Sequence, residues 1–248
     1  MKNKIIGLMI ATAMMVTVAG CGKQITPAEN VTEEAAVEAT VEETAEAVEE
    51  QAAEEASVEA ETEDAEDVEF STGTVDGNVY ENEYFGIKLT VPTDYSFLDD
   101  ETLAQVSGMA ADVMKDNKAA AAALENGTAA IVAYAIKNGA ADNINVTIQS
   151  NASLANAIFD EKAIMEASMD QLKTVLESQG AEISAVEVVE KEVAGENHWV
   201  IELTGNVSGM ELHERIVNFQ KGDYMMAIAA SSFNNEDAET LMSGIEKN

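Results

Sequence analysis

The stretch ISAVEVVEKEVAGENHWVIELTGNVSGMELHERIVNFQKGDYMMAIAAS, residues 183–231, decides the fold of this chain. β-Branched and aromatic residues recur along it, and Gly195, Gly209 and Gly222 interrupt it at short intervals. Runs of this composition between glycine turns predict strands joined by tight hairpins. We therefore expect an antiparallel meander. Its three or four strands are predicted over 183–193, 198–207, 211–220 and 224–231.

The residues before the meander predict further strands. An Asp-Gly pair at 76–77 is typical of a hairpin turn between two short strands. The alternation of Ile87, Leu89 and Val91 predicts a strand that ends at Pro92. Two more strands are predicted over 128–137 and 144–149, on either side of an Asn-Gly turn at 138–139.

Three helices are expected around these strands. The first begins at the acidic cluster 99–101 and extends through an alanine-rich run to Leu124, with Asn126-Gly127 at its end. Its apolar stripe is Leu103, Val106, Ala110 and Val113.

Asp160 caps the second helix, which ends before Gly180 at the C′ position. The predicted inward face of this helix is Ile164, Ser168, Leu172, Val175 and Leu176. Asn234 or Asn235 caps the third, which turns Leu241, Met242 and Ile245 inward. This order of elements predicts an α+β fold, an antiparallel sheet flanked by helices.

A family resemblance lies in residues 79–103, VYENEYFGIKLTVPTDYSFLDDETL. They resemble the opening of the PsbP-like (Mog-type) α/β/α sandwich domains of exported bacterial lipoproteins. The matching positions are Tyr80, Asn82, Phe85-Gly86-Ile87, Pro92 and Tyr95. The order of later elements matches over residues 73–248. The resemblance implies the sandwich fold and a binding or assembly role, and it names no chemistry.

The N-terminus resembles a lipoprotein signal. Two lysines, Lys2 and Lys4, precede the uncharged run 5–18, which is too short to span a bilayer and typical of a signal peptide. Val18-Ala19-Gly20-Cys21 then resembles a lipobox. The resemblance implies cleavage between Gly20 and Cys21 and a diacylglyceryl group on the Cys21 thiol; an ordinary secretory signal is the alternative. Cys21 is the single cysteine, which excludes disulfides and cysteine metal sites once it is lipidated.

An acidic low-complexity segment follows Cys21. Residues 22–69 contain eighteen Asp and Glu residues and one lysine, Lys23, and no aromatic residue precedes Phe70. Such a composition buries too little apolar surface to offset the entropy of ordering, so we expect a disordered tether. A helix is the alternative because Ala and Glu favour helices, but Glu–Glu repeats at i,i+4 repel. The predicted organisation is a signal peptide at 1–20, lipidated Cys and tether at 21–69, and one α+β domain at 70–248.

The charge of the domain excludes some partners. Residues 70–248 contain ten basic and twenty-nine acidic residues. A domain this acidic does not bind nucleic acid by neutralising phosphates, nor anionic lipid through a basic patch. Weak association with divalent cations is compatible with this acidic charge. No cofactor and no specific metal site are predicted.

His198 and His213 are the imidazole bases available for catalysis. We interpret both as polar pairing on the sheet, since no Gly-x-Ser-x-Gly nucleophile motif is present. A zinc site would need three or four ligands, and the nearby candidates are Glu196, Glu211 and Glu214. Two acidic clusters, Asp94 with 99–101 and residues 234–237, offer calcium ligands. Neither has EF-hand spacing, and helix capping explains both.

These features predict a lipid-anchored protein on the extracytoplasmic face of the cell membrane. Its domain is expected to be a non-catalytic binding or assembly module with a protein partner at the cell surface. The first alternative is an extracytoplasmic enzyme that uses His198 or His213 with nearby carboxylates. The second is the substrate-binding lipoprotein of a transporter, which the length of the domain disfavours.

Overall fold

The structure, a computed structural model, describes residues 68–107, 109–127, 129–151 and 160–248. The predicted signal peptide, with Gly20 and Cys21, lies outside the described residues. The predicted tether lies outside them up to residue 67, and so does Thr128, the predicted first residue of a strand.

The first half of the described chain contains short strands and short helices. These elements are β1 (Thr74–Asp76), β2 (Val79–Asn82), β3 (Ile87–Thr90), β4 (Tyr95–Phe97), α1 (Asp100–Val106), α2 (Ala111–Met114), α3 (Asn117–Glu125), β5 (Ala130–Lys137) and β6 (Asn143–Ser150). The second half contains the longer ones. They are α4 (Glu161–Ser178), β7 (Ala181–Val193), β8 (Glu196–Val207), β9 (Met210–Lys221), β10 (Tyr224–Ser232), α5 (Asn235–Ser243) and β11 (Ile245–Lys247).

The strands form two antiparallel sheets. The larger has the order β4-β5-β6-β10-β9-β8-β7, and the smaller has the order β1-β2-β3-β11. Strands β7 to β10 are the predicted meander, each paired with the next along the chain. The α+β prediction is confirmed.

The seven-stranded sheet has a core on each face, because successive side chains of a strand point to opposite sides. Val200 and Val217 pack on one face with residues of the smaller sheet such as Leu89. On the other face, Leu172 and Leu176 of α4 pack against Ile201, among other residues. Helix α4 therefore covers the meander from the side opposite the smaller sheet.

The predicted helix start at the cluster 99–101 and the predicted cap at Asp160 are confirmed, and of Asn234 and Asn235 it is Asn234 that caps the last helix. The Asp99 carboxylate accepts from the backbone N–H of Thr102 at 2.8 Å, and this hydrogen bond lowers the pKa of Asp99. Asp160 caps α4 and Asn234 caps α5 in the same way. Gly180 follows α4 with φ of 91°, the left-handed conformation expected of a C′ glycine.

The long first helix predicted over 99–124 is wrong: the segment forms α1, α2 and α3. The Ser107 hydroxyl donates to the carbonyl of Met109 at 2.7 Å, a local bond that competes with helix continuation. The Asp116 carboxylate then accepts from the backbone N–H groups of Lys118 and Ala119 and starts a new helix. Ala110, predicted on the apolar stripe, is the exposed N-cap of α2.

The assignments of Val175 and Ile245 were incorrect, and two strands, β4 and β11, were not predicted. Val175 of α4 is exposed, while Met165 is fully buried against the sheet. Ile245 does not belong to the last helix; it pairs with Leu89 in β11. Strand β4 has three residues, too few to show a period in the sequence, and it exists through pairing with β5.

Candidate functional site

The two histidines lie far apart on the meander. His198 is near the start of β8, and its ring contacts Phe219 edge-on at 4.9 Å between ring centroids. His213 lies six residues before Phe219 on β9, roughly 20 Å away at the usual rise of about 3.4 Å per residue. The structure therefore does not bring the two histidines together.

The residues considered as candidate zinc ligands are also dispersed. Nε2 of His213 lies 2.8 Å from Oε1 of Glu211, while Glu196 forms an ion pair with Lys247. Glu214 is fully buried. Within the described ranges, no group of three or more His, Cys, Asp or Glu residues is arranged to hold a metal ion.

The two acidic clusters pair with lysines of the same domain. Asp100 contacts Lys115 at 2.6 Å. Lys137 contacts Asp237 at 2.6 Å and Asp94 at 3.7 Å, and the hydrogen bond to Asp237 raises the pKa of Lys137. These carboxylates already have cationic partners, in agreement with their interpretation as structural residues.

His198 lies instead beside the first turn of α4. Its Nδ1 is 2.9 Å from Oε1 of Glu161, the first residue of that helix, and the imidazole is mostly buried. Asp160 sets the start of α4 and thereby the position of Glu161. The pair lines a cavity of about 180 Å³, which we call the α4 cavity. Its lining is Glu161, Ile164, His198, Asn218, Gln220 and Met225.

Asn218 is the unusual member of this lining. The residue is only 7% exposed, and its Nδ2 donates to Sδ of Met165 at 3.3 Å. Its Oδ1 is buried and has no hydrogen-bond partner. An unsatisfied buried acceptor costs about 1–3 kcal/mol, so such a group in a native fold requires an explanation.

Sequence reasoning did not single out Asn218. One signal was present: Asn218 occupies a position of β9 that alternates in phase with Leu212 and Ile216, both fully or almost fully buried. Burial of an amide at such a position costs free energy unless the amide is hydrogen-bonded, whereas burial of an apolar side chain is favourable. Whether Asn218 lines a cavity depends on the position of α4. The alternation of residues within β9 does not predict that position.

A second cavity of about 170 Å³ lies on the other side of His198. His198 and Gln220 line both cavities. The second cavity also has the Glu196–Lys247 ion pair in its lining, and the hydrogen bond and charge of Lys247 lower the pKa of Glu196. The end of the meander thus presents two adjoining pockets that share an imidazole.

A third cavity, of about 380 Å³, lies between residues 71–75 and helices α1 to α3. Its polar lining is largely paired internally. The Thr72 hydroxyl donates to the carbonyl of Met114 at 3.0 Å, and Asp100 pairs with Lys115. It lacks an orphaned buried group comparable to Asn218 among the residues that line it.

The α4 cavity contains groups that can bind a ligand and one pair that can take part in acid–base chemistry. A carboxylate that holds an imidazole can orient it as a general base. However, the described residues that line this cavity include no hydroxyl, thiol or amine that could serve as a nucleophile. The lining offers hydrogen-bond acceptors and two apolar side chains, Ile164 and Met225.

Comparison with known proteins concerns the fold. A scan against protein-family models and a search of curated proteins gave no match. The chain is similar to the solution structure of cyanobacterial PsbP (CyanoP) from Synechocystis sp. PCC 6803, at 12% identity and a TM-score of 0.42, over 71% of this chain and 95% of that one. It is also similar to LpqN of Mycobacterium tuberculosis, a protein involved in cell envelope biogenesis, at 11% identity and a TM-score of 0.37, over 64% of this chain and 82% of that one. A PsbP is thus among the similar structures, and membership of its family stays a prediction.

Among the residues that the structure describes, none of the helices is both long enough and apolar enough to cross a bilayer.

Proposed function

We propose that the chain is a lipid-anchored extracytoplasmic protein whose residues 70–248 form a non-catalytic binding module. The proposed binding function rests on the α4 cavity. It combines a buried acceptor without a partner, Asn218 Oδ1, with the Glu161–His198 pair. A ligand that donates a hydrogen bond to Asn218 would remove the cost of leaving that acceptor unsatisfied.

The proposed boundary at residue 70 agrees with the contacts of Phe70. Its ring packs on Tyr224 at 4.2 Å and on Tyr84 at 5.5 Å between centroids. The contact with Tyr224 attaches the beginning of the domain to β10 of the seven-stranded sheet. The preceding acidic segment is proposed to connect this point to the membrane.

The anchor is tested by Cys21→Ala. We expect the variant to remain unprocessed or to be released into the medium, because the thiol that would carry two acyl chains is gone. Each buried methylene of such chains contributes about 0.8 kcal/mol to membrane binding. Fractionation and intact mass measure the result, with Gly22→Ala as the control that should stay processed and bound. Unchanged processing and retention of Cys21→Ala would refute lipidation at this residue.

The binding function is tested by screening small polar compounds against the full chain. We expect a compound that raises the melting temperature of the parent and not of Asn218→Leu, in which a side chain of similar size lacks the acceptor. A ligand at a hundred times its dissociation constant stabilises by about 2.7 kcal/mol. Stabilisation of both proteins by the same amount would place the binding elsewhere, and a screen with no stabilising compound would contradict the proposal.

A second candidate function is favoured by one contact, the 2.9 Å distance between His198 and Glu161. It is the extracytoplasmic enzyme, with His198 as a general base that activates water and Glu161 as the group that orients it. The same compound screen distinguishes this alternative when it is read for product formation. Turnover that disappears in His198→Ala and persists in His213→Ala would support the enzyme over the binding module.

A further inference from the structure

We infer that the α4 cavity binds a primary ammonium group on a short alkyl chain. This inference rests on the proposed binding function and names the chemical class of the ligand. Three observations support it: the carboxylate and amide oxygens of the polar lining, the position of Lys162 and the charge already present at the start of α4.

The polar lining of the cavity includes three side chains with oxygen acceptors. Glu161 offers a carboxylate, of which His198 engages Oε1. Asn218 offers its buried Oδ1, and the exposed Gln220 offers an amide oxygen at the rim. A primary ammonium has three N–H donors and a positive charge, which match a carboxylate and neighbouring carbonyl oxygens.

The lysine next to Glu161 in the sequence pairs with other groups. Lys162 follows Glu161 in α4, and its Nζ lies 3.2 Å from Oε1 of Glu166 and 5.1 Å from the ring centre of Trp199. Lys162 is not part of the cavity lining, nor is any other lysine or arginine of the described residues. The carboxylate of Glu161 is therefore not neutralised by a lysine.

The start of α4 argues against an anionic ligand. Helix N-termini favour anions, but this one already carries the carboxylates of Asp160 and Glu161. Asp160 accepts from the backbone N–H of Lys162 at 3.1 Å. An added anion would meet these two charges within a chain whose net charge is −34, whereas a cation is attracted by both.

The apolar lining accounts for the alkyl chain. Ile164 and Met225 complete the cavity, whose volume of about 180 Å³ exceeds the space that an ammonium group alone would fill. Methylene groups beside these two side chains would be removed from water and contribute to affinity. The ammonium is expected at the Glu161 side and the alkyl chain against Ile164 and Met225.

The test is titration of the full chain with n-propylammonium chloride, followed by NMR chemical shifts. We expect saturable shifts with a dissociation constant on the order of 1 mM, as is reasonable for a ligand of so few atoms. n-Propanol, which has the same shape and no charge, should bind at least ten times more weakly. Glu161→Gln and Asn218→Leu should each weaken propylammonium binding at least tenfold.

A matched control lies five residues further along α4. Glu166 carries an exposed carboxylate outside the cavity, so Glu166→Gln should bind propylammonium like the parent. Equal binding of propanol, equal binding by Glu161→Gln, or the absence of saturable shifts would overturn the ammonium assignment. The NMR spectrum of each variant also reports whether it is folded.

Two outcomes separate this inference from the proposed function. A neutral or anionic compound that binds in an Asn218-dependent manner would overturn the ammonium assignment and leave the binding module intact. If no compound of any class binds, both fail. A titration with glycerophosphoethanolamine distinguishes two sources of the ammonium group. If this compound binds more tightly than propylammonium, the natural ligand is a lipid headgroup. If it binds more weakly, the natural ligand is a free amine.

Discussion

Arg215→Met is expected to destabilise the domain by about 3–5 kcal/mol, the usual effect of removing one partner from a buried ion pair. Arg215 has a side chain only 7% exposed. Its Nε lies 3.1 Å from Glu202 and 3.4 Å from Glu239, and its Nη2 donates to Asn235 at 2.7 Å. Methionine would fill similar space, but both carboxylates would lose a cation.

The expected loss falls mainly on the attachment of α5. Glu239 and Asn235 belong to this helix, whereas Glu202 and Arg215 belong to β8 and β9. Lys191 of β7 also contacts Glu202 and Glu239. Without Arg215, one lysine faces two carboxylates, so the contact between the helix and the sheet weakens.

Urea denaturation measures the effect, and Lys173→Met is the control. Lys173 forms an i,i+4 pair with Glu177 at 3.9 Å, and both side chains are about half exposed. Loss of such a surface pair changes stability by less than about 1 kcal/mol. If Arg215→Met and Lys173→Met have equal free energies of unfolding, the buried network does not stabilise the domain as argued.

The same network has a pH dependence with a defined sign. Partial burial raises the pKa of Glu239, but the hydrogen bond from Lys191 and the charges of Lys191 and Arg215 outweigh it, so the pKa is lowered overall. A lowered pKa in the folded state stabilises the protein above the unfolded value of about 4.3. This contribution is lost as the pH falls through the lowered folded-state value. The loss should be smaller in Arg215→Met, because one of the cations that lower the pKa is absent.

Gly244→Ala is expected to destabilise the domain by about 3 kcal/mol, near the upper end of the usual effect of overpacking. A Cβ at this position would lie 2.2 Å from the backbone oxygen of Thr90 and 3.3 Å from that of Leu241. The φ of Gly244 is −78°, which any residue adopts, so the effect is steric. The backbone N–H of Thr90 donates to the Gly244 carbonyl at 2.8 Å, so relief of the clash requires the loss of this bond.

Thermal unfolding and hydrogen exchange check this prediction. The amides that join β11 to β3 should exchange faster in Gly244→Ala, because the clash lies where α5 leads into β11. Ser243→Ala is the control: its exposed hydroxyl bonds only to the carbonyl of Thr240, and it should unfold near the parent temperature. An alanine variant as stable as the parent, with unchanged exchange in β11, would contradict the steric argument.

The elements predicted correctly share a local cause. The meander was predicted because its glycine turns and strand-forming residues are close in sequence, and each of its strands pairs with its neighbour along the chain. The helix starts near Asp99, Asp160 and Asn234 were predicted because a side chain bonds to a backbone group two or three residues away. Such interactions need no knowledge of distant residues.

The elements that were missed depend on distant residues. Strand β11 pairs with β3, more than 150 positions earlier, and its three residues have no pattern of their own. The assignment of the inward face of α4 failed at Val175 and Met165 because the sheet beneath the helix determines which side is covered. The Glu161–His198 contact joins residues 37 positions apart and requires α4 and β8 to pack together.

The sequence by itself therefore determined the class of fold, the starts of α1, α4 and α5 and the prediction of a lipid anchor at Cys21, because each depends on short segments. Packing across the sheet decided which of the candidate polar residues meet. His198 pairs with Glu161 and lines the α4 cavity, whereas His213 pairs with Glu211 on another part of the sheet. Asn218 became a candidate binding residue only because α4 closes over β9 and leaves one of its polar atoms buried without a partner.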